Sequence, residues 1–275
     1  MDSEINFIKQ KIMNIWTEYS IKLASQENYL DRLYRVYPTI PNEVRELDPN
    51  VWANIKKAHQ EKNPVDLINS LLALELFPVK DGYVAYLRKD KSAIERNPET
   101  INRLAGQVFS LSIEELFDKC SEPKETNRQM GQAFRRWINR GEIGVPVIKD
   151  KKEFLDFKGN CILDGGDKEL DTFAKEYLGY TQNKGLDLIA KFNEKMIVGE
   201  AKFLTDFGGH QNAQLRDALF LLEGKFEKSD YQVERIALLD GVCYIEGGNK
   251  MFREISEFDG TIMSALFLKD YLYQV

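Results

Sequence analysis

The sequence predicts an α/β protein, with a mixed β-sheet flanked by helices in the second half and an N-terminal helical domain before it. Three observations carry this. Apolar residues recur at helical spacing through roughly the first 120 residues. Two strand-like runs, residues 186–192 and 196–203, are joined by Asn193-Glu194-Lys195. A continuous apolar run, Ile236-Ala237-Leu238-Leu239, has the character of a strand buried on both faces. The pattern changes once, between Cys120 and Glu125, so the expected domains are residues 1–122 and 123–275.

In order along the chain, Ile5, Ile8, Ile12, Ile15 and Trp16 open the helical pattern, which Ile21, Leu23, Leu30, Leu33 and Tyr34 extend until Pro38 and Pro41 break it. Asn63-Pro64 starts a second helical stretch through Val65, Leu67, Ile68, Leu71 and Leu72, with proline at a first turn where its missing N–H costs nothing. The run Gly82-Tyr83-Val84-Ala85-Tyr86-Leu87 reads as a short strand or extended link. Asn97-Pro98-Glu99 and Ser112-Ile113-Glu114-Glu115 each open a further helix. Beyond residue 123, Val145 to Ile148 is strand-like, Asp167 to Tyr177 helical, and Gly208-Gly209 introduces a helix from His210 to about Lys228. Gly260 precedes a final helix reaching Tyr273.

Composition narrows the class. At 275 residues, with 43% hydrophobic and 30% charged residues, the chain is an ordinary folded protein rather than a rod or a disordered one. No apolar run approaches the ~20 residues of a bilayer span, and the start Met1-Asp2-Ser3-Glu4 lacks the features of a signal peptide, so a cytoplasmic location with no membrane is expected. Cys120, Cys161 and Cys243 are far apart and read as core thiols. With only His59 and His210, a His-based zinc site or a Ser-His-Asp triad is disfavoured; phosphate-binding and dinucleotide glycine loops are absent. The net charge of −6 leaves a nucleic-acid partner open, because affinity depends on a local basic surface.

The hairpin holds the chemistry. With an even-residue turn centred between Asn193 and Glu194, Asp187 faces Glu200 and Ile189 faces Val198. Asp187, Glu200 and Lys202 then share one face, because strand side chains alternate with period two. Cross-strand neighbours lie ~5 Å apart, a span over which two carboxylates can hold one divalent cation. Such a cation removes their mutual repulsion, activates water and neutralises a phosphate, while the lysine stabilises developing charge. The spacing alone also fits an ordinary strand with a solvated Glu–Lys pair, and an odd-length turn would move Asp187 to the opposite face.

Gly185-Leu186-Asp187-Leu188-Ile189 followed by Gly199-Glu200-Ala201-Lys202-Phe203 resembles the PD-(D/E)XK nuclease core, with Gly185 in place of the proline. The phrases Ala201 to Asn212 and Pro123 to Gly131 resemble type II restriction endonucleases, nearest to the BsaWI-type enzymes that cut sites built on CCGG. The resemblance covers about residues 120–250. It implies that Asp187 and Glu200 bind Mg²⁺, that Lys202 is the catalytic lysine, and that Glu169 or Glu176 on the preceding helix could assist. Two departures stand out. Glu200 occupies the ordinary place, whereas some CCGG-cutting enzymes shift that carboxylate to the next helix. In place of the Arg-x-Asp/Glu-Arg reading cluster there is only Arg216-Asp217.

Two segments are candidate DNA contacts. Between Lys124 and Arg140 the bases Lys124, Arg128, Arg135, Arg136 and Arg140 face only Glu125, and Arg128, Arg135 and Arg136 fall near one helical face. After the second strand, Gln211, Asn212, Arg216 and Asp217 begin a helix behind two glycines, where amide and guanidinium groups can reach bases. Each has a plain alternative, a solvated helix face and a polar helix start. The expected function is type II site-specific hydrolysis of both strands of double-stranded DNA at a short palindromic site. Cutting both strands implies a homodimer with two related active sites. A repair or recombination nuclease with the same core, or a DNA-binding module that does not cut, are the alternatives.

Overall fold

The computed structural model describes residues 13–38, 44–123 and 126–275, with side chains of the last segment described from Gln129 onward. Two helices come first, α1 (Ile15–Ala24) and α2 (Tyr29–Val36). Six follow: α3 (Pro49–Gln60), α4 (Pro64–Leu72), α5 (Val84–Lys89), α6 (Ala93–Arg96), α7 (Pro98–Phe109) and α8 (Ile113–Ser121). The remainder runs α9 (Thr126–Asn139), β1 (Val147–Ile148), α10 (Lys151–Asp156), β2 (Cys161–Leu163), α11 (Asp167–Tyr177), β3 (Leu188–Phe192) and β4 (Lys195–Leu204). It ends with α12 (Gly209–Glu223), β5 (Gln232–Gly241), α13 (Lys250–Glu257), β6 (Thr261–Met263) and α14 (Leu268–Gln274).

These elements form two compact units, residues 40–125 and residues 1–39 with 126–275. The division differs from a single boundary near residue 122, because α1 and α2 bury their apolar faces with the sheet. Ile21, Leu33, Val36 and Tyr37 share one core with Phe134, Ile197, Leu238 and Ile262. Polar contacts fix the same packing, since Thr17 Oγ1 donates to the Ile262 carbonyl at 3.0 Å and the Ser264 N–H donates to Ser20 Oγ at 2.8 Å. An amphipathic pattern states that a helix is covered on one face, but not by what.

The helical unit has its own core, in which Leu67, Leu71 and Ile55 pack with Val108 and Leu116, and Ile68 packs with Ile101 and Leu104. Proline at the start of α3, α4 and α7, and the Ser112–Glu115 capping box of α8, are the local signals that set these helices. The run at 82–87 is not a strand. Val84 and Leu87 are buried three residues apart while Tyr83, Ala85 and Tyr86 face water, which is the α5 pattern.

The sheet has six strands in sequence order, β1 to β6. β1–β2, β4–β5 and β5–β6 are parallel, and β2–β3 and β3–β4 antiparallel, so the sheet is mixed and flanked by helices as expected. Both faces of the central hairpin are buried. Leu188, Ala190, Phe192 and Ile197 enter the core shared with α1, α2 and α9, whereas Ile189, Met196 and Val198 pack against Phe154, Leu170 and Phe173 of α10 and α11. The helix α12 makes the crossover between parallel β4 and β5. The last strand, β6, lies directly after Gly260, where the final helix was expected to begin, and that helix starts only at Leu268. Cys120, Cys161 and Cys243 are buried free thiols. Among the described residues no helix is long and apolar enough to cross a membrane.

Candidate active site

The turn of the β3–β4 hairpin is made by Asn193 and Glu194, both with positive φ (50° and 63°), the tight two-residue hairpin geometry whose twist matches the strands. It sets the register anticipated from the sequence, with Phe192 opposite Lys195 and Ile189 opposite Val198. Asp187 precedes β3, and its N–H donates to the Gly199 carbonyl at 3.0 Å. Asp187, Glu200 and Lys202 therefore meet at one end of the sheet. The Ala201 N–H donates to Asp187 Oδ2 at 2.9 Å. Lys202 Nζ lies 3.4 Å from Asp187 Oδ2 and is ion-paired with Glu200 Oε1.

The electrostatics follow from burial. Desolvation pushes the Asp187 carboxyl above its ordinary range, opposed by Lys202 and by the Ala201 N–H. Desolvation, then the neighbouring Asp187, raises Glu200 from 4.5 to about 7. Burial works against the Lys202 ammonium, yet Asp187 and Glu200 outweigh it and hold its pKa above 10.5. One ammonium thus serves two carboxylates, and charge is left unbalanced on the oxygen side.

A third acid contributes to that field. Asp167, the first residue of α11, raises both Asp187 and Glu200. The candidates on this helix were Glu169 and Glu176, but Glu169 caps the helix by accepting from the Gly166 N–H at 2.7 Å, and Glu176 hydrogen-bonds Tyr177. Asp167 also explains Gly185, because a Cβ at residue 185 would stand 2.7 Å from the Asp167 Cβ. The signal in the sequence was an acid directly after Gly165-Gly166 at a helix start.

The donor set fits a hard divalent cation. Among the described residues no three His, Cys, Asp or Glu side chains converge on one point. Asp187 and Glu200 nevertheless offer carboxylate oxygens in short supply of positive charge, and Mg²⁺ commonly takes one or two carboxylates and completes its shell with water and phosphate.

The proposed DNA contacts are placed unevenly. Arg135 donates to Asp164 Oδ1 from Nη2 at 3.0 Å and Nε at 3.3 Å, and Asn139 joins it at 3.0 Å. Arg136 and Arg140 are exposed and form no ion pair among the described residues. The Arg128 side chain lies outside the described residues. Met130, Ala133 and Phe134 face the core, as the helical spacing required. Gln211 is only 2% exposed, and its amide is spent within the protein, donating to Thr205 Oγ1 at 3.0 Å and accepting from the Thr205 N–H at 3.3 Å. Both ends of its amide are thus occupied within the protein. Asn212 donates to the Phe207 and Gly208 carbonyls at 2.9 and 3.0 Å. Arg216 is exposed beside a groove that Glu223, Glu254, Glu257 and Asp259 also line, and Asp217 pairs with Lys184 at 2.6 Å.

A mixed sheet whose central hairpin gathers two carboxylates and a lysine at one end is the framework of a nuclease core. The chain belongs to the Tsp45I type II restriction enzyme family, whose model matches residues 14–275. It is accordingly a restriction endonuclease, an enzyme of site-specific DNA cleavage, and the match includes the helical unit as well as the sheet. No curated protein matches the chain.

Proposed function

We propose that the protein is a Mg²⁺-dependent homodimer that cuts both strands of double-stranded DNA at a short palindromic site, with Asp187, Glu200 and Lys202 as its catalytic residues. The observation that carries the reading is the Lys202 ammonium held between two carboxylates whose pKa values are both raised. Asp187 and Glu200 would hold the ion, which supplies an activated water and charge neutralisation at the scissile phosphate.

The chain's own groups do the rest. Lys202 is held protonated by the two carboxylates beside it, and so is placed to serve as a cation and hydrogen-bond donor to the phosphate oxygens. Asp187 is locked by the Ala201 N–H, and its free oxygen keeps one orientation. Arg128, Arg136 and the half-exposed Arg135 contact the DNA backbone, and Asn212, Arg216 and Asp217 approach the bases. Gln211 acts from inside by fixing Thr205.

One assay tests the reading. Purified protein is incubated with plasmid DNA and Mg²⁺, with and without chelator. Discrete fragments that disappear on chelation, mapping to one short symmetric sequence, are expected. Structure-dependent nicking would point to a repair nuclease, and intact DNA to a binding module. Mapping the ends also decides whether the site is built on CCGG. Sedimentation of the DNA-bound protein should give two copies per duplex.

A further inference from the structure

Behind the catalytic strand lies a buried polar cluster that the cleavage chemistry does not use. Asp240, at the end of β5, is fully buried. Its carboxylate accepts from Tyr37 Oη at 2.9 Å, Tyr29 Oη at 3.3 Å, the Ala265 N–H at 3.1 Å and Ser264 Oγ. In the β4–β5 ladder Asp240 stands opposite Phe203, the residue after Lys202. The Tyr37 ring packs edge-on against Phe203 with centroids 5.2 Å apart and lies over Phe134 of α9 at 6.4 Å. Phe134 immediately precedes Arg135 and Arg136.

We propose that Tyr37, anchored through its hydroxyl to Asp240, is a positioning residue that sets the end of β4 on which Glu200 and Lys202 stand. Period-two alternation puts Phe203 and Lys202 on opposite faces of the strand, so a ring wedged behind Phe203 limits how far Lys202 can tilt from the phosphate. Glu200 and Lys202 are both close to this strand's C-terminal end, where β3 no longer pairs with it, and the face behind them is held by Tyr37 and α9. The hydroxyl is kept as a donor, since burial and Asp240 both push the Tyr37 pKa upward. A catalytic cation misplaced by about 1 Å can lose on the order of a hundredfold in rate, so a packing residue here acts on turnover.

This inference rests on the assignment of Asp187, Glu200 and Lys202, and the experiment separates the two. Cleavage at saturating DNA and DNA affinity without divalent ions are measured for Tyr37→Leu, Tyr37→Phe, Tyr29→Phe and Asp187→Ala, well below each unfolding midpoint. Tyr37→Leu should lose about tenfold or more in turnover with affinity unchanged within about twofold, and Tyr37→Phe, which keeps the ring but not its anchor on Asp240, should fall measurably between Tyr37→Leu and the parent. Tyr29→Phe also removes a bond to Asp240 but no ring from Phe203, and should cut at the normal rate. Equal turnover in Tyr37→Leu and the parent, or equal losses in Tyr29→Phe and Tyr37→Phe, overturns the positioning role. If Tyr37→Leu does not fold, a Tyr37→Phe turnover at or above that of Tyr29→Phe overturns it, and a lower one supports it. An active Asp187→Ala variant would instead remove the catalytic assignment itself.

Discussion

The Ala201 main-chain N–H and the Asp187 carboxylate are joined at 2.9 Å, a bond from the strand carrying Glu200 and Lys202 to the acid that precedes its partner strand. The pair ties both sides of the hairpin at the point where the ladder ends, and so sets the distance between the two carboxylates before any ion arrives.

Asp187→Ala, Glu200→Ala and Lys202→Ala should each abolish Mg²⁺-dependent plasmid cleavage. Their metal-free stabilities should differ in sign. Removing either carboxylate relieves repulsion and leaves Lys202 one partner, so the melting temperature stays level or rises. Removing Lys202 leaves two buried acids without a cation, and the melting temperature falls. A cleaving Asp187→Ala variant would defeat the assignment.

Glu200 titrates near pH 7 in the folded protein against 4.5 when unfolded. A raised acid binds its proton more tightly in the folded state, so its contribution favours folding fully below pH 4.5 and is lost as pH rises through about 7. Metal-free melting temperature should therefore decline between these values, with Asp240 adding in the same direction. Glu200→Gln should flatten part of that decline; a profile identical to the parent's would contradict the shift. Divalent-ion affinity should increase across the same interval, because the ion competes with the proton.

Arg136→Ala and Arg128→Ala should weaken DNA binding and each lower the slope of log K against log salt by roughly 0.9, as expected for one lost phosphate contact. Arg135→Ala should add a stability loss of up to ~1 kcal/mol, since its partner Asp164 is only partly exposed. Binding titrations at several salt concentrations, with thermal melts, distinguish these outcomes.

Gln211→Ala should act on stability rather than on sequence choice. It removes two hydrogen bonds to Thr205, whose exposed N–H and hydroxyl then turn to water, at a cost of about 0.5–1.5 kcal/mol per bond. Asn212→Ala and Arg216→Ala should instead lower cleavage of the true site more than binding to random DNA. Comparing cleavage of specific and random duplexes across the three variants reads this directly; parallel losses would put base reading elsewhere.

The hairpin was legible because its signals are local. Period-two alternation and an asparagine turn fix the register without knowledge of the rest of the chain, and the register brings Asp187 to Glu200. Strands β2 and β6, three residues each, are too short to show a period. Asp167 was obscured by Glu169, a better-looking acid on the same helix that the capping box consumes. Tyr37 was hidden differently, since its partners Phe203 and Asp240 lie more than 160 positions away and no spacing rule connects them. The bonds that hold Gln211 inside run back to Thr205, six positions earlier across the bend at Phe207–Gly208, which composition does not reveal.

The interleaving of α1 and α2 with β5, β6 and the residues after them also orders the closing of this core during synthesis. Asp187, Glu200 and Lys202 leave the ribosome well before Ser264 and Ala265, which complete the Asp240 cluster. A chain interrupted between residues 205 and 260 carries the three proposed catalytic side chains but no β6, and an Asp240 cluster that, if Asp240 is present, lacks two of its donors. In such a chain α1 and α2 have no β6 to close on, so the core behind β4 stays incomplete until residues 261–265 have been made.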